Sequence, residues 1–168
     1  MNPLLIALAG NPNSGKTSLF NAITGSKQHV GNWPGKTIAK KEGEFQHRGY
    51  DIKIVDLPGI YSMSAFSPEE VIARDFIVQE KPDIVITVLD AANLERNLYL
   101  AVQVLEMNVP VVIALNMSDI AEAKNIQIER EGLSQALSVP VIRTVARKEE
   151  GTRDLIDAIV DTANQTLL

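Results

Sequence analysis

Gly10-Asn11-Pro12-Asn13-Ser14-Gly15-Lys16-Thr17 satisfies the spacing Gly, four residues, then Gly-Lys-Ser/Thr. The chemistry of that pattern is phosphate binding. Backbone N–H groups of such a loop, with those of the helix that follows, converge on one point and cradle a phosphate chain. The contacting set is Asn11, Pro12, Asn13, Ser14, Gly15, Lys16, Thr17 and Ser18. Lys16 is expected to reach the β- and γ-phosphates, and the Thr17 hydroxyl to bind Mg²⁺. A second group, Asp56-Leu57-Pro58-Gly59, follows an apolar strand. Ligands of open α/β sheets bind at strand C-terminal ends. An Asp there can hold Mg²⁺ through water, and Gly59 can offer its N–H to a γ-phosphate. A third group, Asn116-Met117-Ser118-Asp119, also ends a strand. Asn116 can contact a base and brace the phosphate loop. The Asp119 carboxylate can accept from guanine N1 and its 2-amino group. Adenine lacks that donor pair and would leave the carboxylate unpaired. Each of the last two patterns alone is an ordinary turn; their order after the phosphate loop is what makes them informative.

The elements that must position these groups alternate. Leu4 to Ala9 reads as a buried strand and Lys16 to Thr24 as a helix. Ser26 to Lys36 reads as a loop, with Trp33 a mobile, partly exposed ring. Ile38 to Phe45 and Tyr50 to Val55 form an antiparallel pair, because the turn at His47-Arg48-Gly49 is too short for a parallel crossover. After a loop from Ile60, Ser67-Pro68-Glu69-Glu70 starts a helix with its N-cap, N1 proline and early acids, burying Val71, Ile72, Phe76 and Ile77. Ile84 to Leu89 is a strand. Leu94 to Met107 is a helix with Leu98, Ala101, Val102 and Leu105 inward. Val109 to Leu115 is a strand, and Leu133 and Leu137 mark a short helix. Val139 to Ile142 is the last strand and Thr152 to Thr166 the closing helix, with Leu155, Ile156, Ile159 and Val160 inward. Fully apolar strands alternating with helices predict an α/β domain. Its sheet is mostly parallel, of about six to seven strands, with helices on both faces. His29 and His47 are read as loop or turn residues, not metal ligands.

The 168 residues suit one domain spanning 1–168. A net charge of -5 disfavours a basic nucleic-acid face. Cysteine is absent, which removes disulfides and thiolate metal sites. No signal-peptide pattern opens the chain, and no apolar run approaches the about 20 residues that span a bilayer, so the chain is expected to be soluble.

Together the motifs resemble the TRAFAC-class GTPases, which implies a P-loop NTPase fold of the Ras-like G-domain kind. More narrowly, the chain is similar to the N-terminal G domain of the ferrous iron transport protein B family. The residues carrying this are Gly-Asn-Pro-Asn-Ser-Gly-Lys-Thr-Ser-Leu-Phe-Asn at 10–21, Val-Gly-Asn-Trp-Pro-Gly-Lys-Thr at 30–37 and Asp-Leu-Pro-Gly-Ile-Tyr-Ser at 56–62. Ile-Ala-Arg-Asp-Phe-Ile at 72–77 and Asn-Leu-Glu-Arg-Asn-Leu-Tyr-Leu at 93–100 add to them. The resemblance implies GTP and GDP as ligands with Mg²⁺ held by Thr17, Thr37 and Asp56. Thr37 would be the switch I threonine that meets Mg²⁺ and γ-phosphate only with GTP. Asn116, Met117, Asp119, Val145 and Ala146 would surround the base. Asn13, with the carbonyls of Gly31 and Trp33, would ligate an activating K⁺. Lys16, Thr37, Gly59 and Asn13 form the implied catalytic set.

Departures from the pattern carry their own expectations. Ile60 stands where many GTPases place a water-orienting Gln, which predicts slow hydrolysis. Met117 replaces a common Lys. Val145 replaces a common Ser, so a hydroxyl brace is missing and GDP retention is expected to weaken. The resemblance further implies a following helical domain, then a membrane permease for Fe²⁺, with this domain on the cytoplasmic face and the oligomeric state open. Two alternatives stand beside it: a nucleotide-state sensor with little catalysis, and a soluble ribosome-assembly or tRNA-modification GTPase. An ATP-dependent kinase is disfavoured by Asn116 and Asp119.

Overall fold

Strand β1 (Asn2–Gly10) lies mid-sheet because its side chains are apolar on both faces. Ile6 and Leu8 point one way, Ala7 and Ala9 the other, and all are fully buried. The computed structural model describes residues 2–166. Its remaining strands are β2 (Gln28–Asn32), β3 (Ala39–His47), β4 (Tyr50–Asp56), β5 (Ile84–Asp90), β6 (Val111–Asn116) and β7 (Val141–Arg143). The helices are α1 (Lys16–Thr24), α2 (Pro68–Asp75), α3 (Leu94–Leu105), α4 (Ser118–Ala123), α5 (Arg130–Leu137) and α6 (Thr152–Thr166). Seven strands form one sheet in the order β2-β3-β4-β1-β5-β6-β7. The five from β4 to β7 run parallel, and β3 runs antiparallel to both its neighbours. The α/β architecture expected from the alternating pattern is therefore present. One face packs on α2 and α3 through Ile72, Phe76, Leu100 and Val104; the other packs on α1 and α6 through Phe20, Leu19, Leu155 and Ile159.

Parallel order puts the ends of β1, β4, β5 and β6 at one edge, so the three motifs meet there. Ser67 caps α2 as expected, its Oγ accepting the Glu70 N–H at 3.1 Å. Helix α2 passes at Phe76 into a π-helical turn, Phe76–Glu80.

Three expectations need correction. The stretch 26–36 is not all loop: Gln28–Asn32 pairs with β3, His29 opposite Glu42 and Gly31 opposite Lys40. It is an edge strand with little burial on either side, so it shows no apolar alternation. On α3, Val102 is exposed, while Leu100 and Val104 are buried with Ala101. The buried face begins at a polar residue, Asn97, which hides its phase from a hydrophobic count. Strand β7 begins at Val141, past Pro140. Among the described residues no helix is long and apolar enough to cross a membrane. No cluster of His, Asp or Glu there could by itself hold a metal.

Candidate nucleotide site

The loop between β1 and α1 is shaped before any ligand is considered. The Asn11 carbonyl accepts the Ser14 N–H at 3.2 Å and the Ser14 hydroxyl at 2.8 Å. Gly15 sits at φ 82° just before α1. A Cβ there would overlap the Asn116 amide, so glycine is required for both reasons. A cleft of about 460 Å³ opens over the loop, lined by Asn11, Pro12, Asn13, Gly15, Lys16, Thr17, Ser18 and Gly59. It is walled by the N-terminus of α1, whose free N–H groups favour an anion. Ser18 and Thr17 are exposed to it, and Asn13 stands at φ 68° on its rim.

Lys16 is buried, and its Nζ donates to Asp56 Oδ1 and, at 2.7 Å, to the Leu57 carbonyl. Burial lifts the Asp56 carboxyl above the ordinary carboxylate range, and the Lys16 charge offsets this only in part. The two residues that are expected to share the phosphate–Mg²⁺ work are thus in direct contact. Thr17 follows Lys16 at the start of the helix and lines the cleft, while Asp56 is reached from it through Lys16; a hydroxyl and a carboxylate are hard oxygen donors of the kind that suits Mg²⁺. Gly59 seats against Pro12, where an added Cβ would lie 3.2 Å from the proline ring. The Ile60 N–H donates to the Gly10 carbonyl at 3.1 Å, and the Ile60 side chain is buried in the core.

Asn116 ties the base side to the phosphate side. Its Nδ2 donates to the Ser14 carbonyl at 3.0 Å, and its Oδ1 accepts from Thr144 Oγ1 at 3.1 Å and from the Ala146 N–H at 3.0 Å. The bracing expected from the motif is therefore present. Met117, left-handed at φ 57°, lies beside Gly15. Asp119, in the first turn of α4, keeps its carboxylate partly exposed, with Lys148 Nζ at 3.5 Å and Arg147 at 3.7 Å. The loop that follows β7 adds a hydroxyl of its own: Thr144, one residue before Val145, donates to Asn116 Oδ1, as does the Ala146 N–H, while Val145 pairs with Glu150 in a small bridge.

The structure does not bring the 30–38 segment to this cleft. Thr37 is exposed, and no hydrogen bond of its side chain occurs among the described residues. Gly31 is held in β2, and the Trp33 carbonyl accepts the Lys36 N–H at 2.9 Å. Neither Gly31 nor Trp33, whose carbonyls are expected to share a K⁺ with Asn13, lines the cleft that Asn13 borders. Trp33 corrects a further expectation: its ring is only 6 % exposed. It meets Phe76 edge-on, centroids 5.8 Å apart at 80°. Turn-forming neighbours predict an exposed ring, but an aromatic of this size gains too much by burial when a core lies within reach.

Residue-by-residue reading of the sequence gave no role to Thr144, to Asp90 or to Asn97, although Asn97 lies in the 93–100 segment that carries the resemblance. Asp90 caps the turn after β5 through the Ala92 N–H at 2.8 Å and holds Asn93, while Asn97 accepts from the Asp90 N–H. Their spacing, Asp90-Ala-Ala-Asn93 with Asn97 one helical turn on, is the signal that could have found them.

The family model described as ferrous iron transport protein B matches residues 4–159. The Fe(2+) transporter FeoB of Escherichia coli (strain K12) is 50% identical over 163 residues, covering 95% of this chain and 21% of that protein. A Porphyromonas gingivalis fusion of Fe(2+) transport protein A with FeoB is 49% identical over 156 residues, covering 92% of this chain and 18% of that one. The chain thus spans about a fifth of the length of these relatives. Among solved structures, the G domain of the T. maritima FeoB iron transporter matches with TM-score 0.89 and 47% identity, over 96% of this chain and 99% of that one. The cytosolic domain of the same transporter in a GDP form matches with TM-score 0.95 and 44% identity, over 99% and 66%.

Proposed function

The chain belongs to the ferrous iron transport protein B family, and from that premise we propose that it is one GTP-binding, slowly GTP-hydrolysing G domain that regulates a ferrous iron transporter. The observation that carries this reading is the Asn116 hub. The side chain of Asn116, three residues before Asp119, joins the phosphate loop, through Ser14, to the loop carrying Ala146. A phosphate site and a carboxylate with guanine-reading chemistry are thereby locked at a fixed spacing. That a relative's cytosolic domain is described in a GDP form supports the same ligand here.

In this reading the α1 N-terminus and Lys16 hold the β- and γ-phosphates. Lys16 exchanges its bond to Asp56 for phosphate oxygens, which frees Asp56 to face the metal side of the cleft. Thr17 and Asp56, joined by Thr37, would hold Mg²⁺, which neutralises charge between the β- and γ-phosphates. Gly59 turns its N–H toward the γ-phosphate. Asn13, with the Gly31 and Trp33 carbonyls, would take K⁺, a charge placed where other GTPases use an arginine. Because Ile60 is buried, no side chain follows Gly59 to orient the water; backbone groups and Thr37 must do so, and hydrolysis is slow. The helical and permease segments implied by the family are the partners through which nucleotide state would act on Fe²⁺ passage. The domain would then lie at the cytoplasmic membrane face and use no nucleic acid.

Base choice tests this directly. Asp119→Asn should lose GTP affinity and gain affinity for XTP by titration calorimetry, since xanthine carries a carbonyl where guanine carries the 2-amino group. Retained GTP binding with no gain for XTP would overturn the assignment of Asp119.

A further inference from the structure

We propose that Phe76 is a positioning residue: through Trp33 it sets how readily the 30–38 segment closes on the nucleotide. This rests on the proposed reading of that segment as the loop carrying Thr37 and the K⁺ carbonyls. Three observations point to it. First, Trp33 belongs to the core cluster that contains Leu57, which lies within the Asp-x-x-Gly motif, and Ile60, Ile72 and Phe76, which lie in the chain that follows it. The two segments that must answer to the γ-phosphate therefore share one aromatic contact. Second, the contact is made at the first residue of the π-helical turn, Phe76–Glu80. Such a turn interrupts an α-helix and recurs at functional positions. Third, the hold is balanced against itself. The Trp33 Nε1–H is buried and has no hydrogen-bond partner among the described residues, a cost that release into water removes. Among the described residues, packing, the Phe76 edge and Lys40 Nζ, 4.8 Å from the ring centroid, keep the ring in place.

The turn at this point is closed by the Trp33 N–H to the Ile38 carbonyl and the Lys36 N–H to the Trp33 carbonyl, each at 2.9 Å. A cation can take the Trp33 carbonyl only if the second of these opens. Moving Thr37 inward pulls on the same turn. Ring seated and loop closed on nucleotide are thus competing arrangements, and the strength of the Trp33–Phe76 contact weights them.

Trp33 is the single tryptophan, so its fluorescence reads the ring directly. The test uses the 168-residue chain, with nucleotide binding verified by calorimetry. With GDP the emission should stay that of a buried ring. With Mg²⁺, K⁺ and a non-hydrolysable GTP analogue it should shift to the red, and acrylamide quenching should rise. Phe76→Leu keeps an apolar side chain but removes the ring edge. It should shift emission the same way without nucleotide, and lower the K⁺ concentration for half-maximal hydrolysis about three- to tenfold, the size an aromatic pair carries. If Phe76→Leu melts too low to use, Lys40→Gln weakens the ring from its other side and should move both readouts in the same direction. Emission and quenching that ignore the bound GTP analogue, or an unchanged K⁺ requirement in the variant, would overturn the proposal while leaving the G-domain reading intact. Calorimetry with no guanine-nucleotide binding would overturn both.

Discussion

Asn116 makes three hydrogen bonds with one amide, and each partner is buried backbone or a buried hydroxyl. Removing it leaves the Ser14 carbonyl and the Ala146 N–H without partners. At about 1 kcal/mol per bond, Asn116→Ala should cost about 2–3 kcal/mol. Thermal unfolding should show this as a fall of about 5–10 °C; an unchanged midpoint would mean the hub is not a structural brace. Asp56 makes a prediction in pH. Burial raises its carboxyl above the ordinary range despite Lys16. The folded chain therefore holds this proton more tightly than the unfolded chain does. The associated stability is present below the unfolded carboxyl pKa, about 3.9, and is lost as pH rises through the higher folded value. Asp56→Asn has no proton to exchange. Denaturant midpoints followed upward from about pH 4 should fall for the natural chain relative to the variant. Parallel profiles would contradict the raised value.

At the scale of elements, legibility followed burial. Strands β5 and β6 were plain because both faces are apolar, and α2 was plain because Ser67 and Pro68 announce its start. Ser67→Ala should cost about 1 kcal/mol, read as a fall of about 2–4 °C in melting temperature; no fall would mean that Glu70 finds another partner. Strand β2 was illegible because an exposed edge of Gln, His, Val, Gly and Asn carries no periodic signal, and its pairing is set by β3. The phase of α3 was misread because Asn97 occupies a buried position for its hydrogen bonds to Asp90 and the Asn93 carbonyl. The fate of Trp33 was hidden for a related reason. Its neighbours are turn formers, and the ring's partner, Phe76, lies on a distant helix that only the folded sheet brings near. At the opposite end of the sheet, His47 and Arg48 of the β3–β4 hairpin contact Asp157 and Asp161 of α6. The antiparallel pair that extends from the 30–38 segment is thereby fastened to the last helix.

For the whole molecule, motif order was enough to read the fold class and the site's three corners, because parallel strands must deliver their C-terminal ends to one edge. What motif order does not contain is the relation of the 30–38 segment to that edge, since loop position depends on competing contacts and not on spacing. The chain spans about a fifth of the length of its transporter relatives, and under the proposed function its nucleotide state would act through the helical and permease segments that the family implies. The most direct test is Mg²⁺-dependent hydrolysis of GTP and of ATP, each in KCl and in NaCl at equal ionic strength. The account predicts slow turnover of GTP alone, faster in K⁺, with the K⁺ advantage lost in Asn13→Ala. Equal turnover of ATP, or GTP that binds yet is hydrolysed in neither salt, would contradict it.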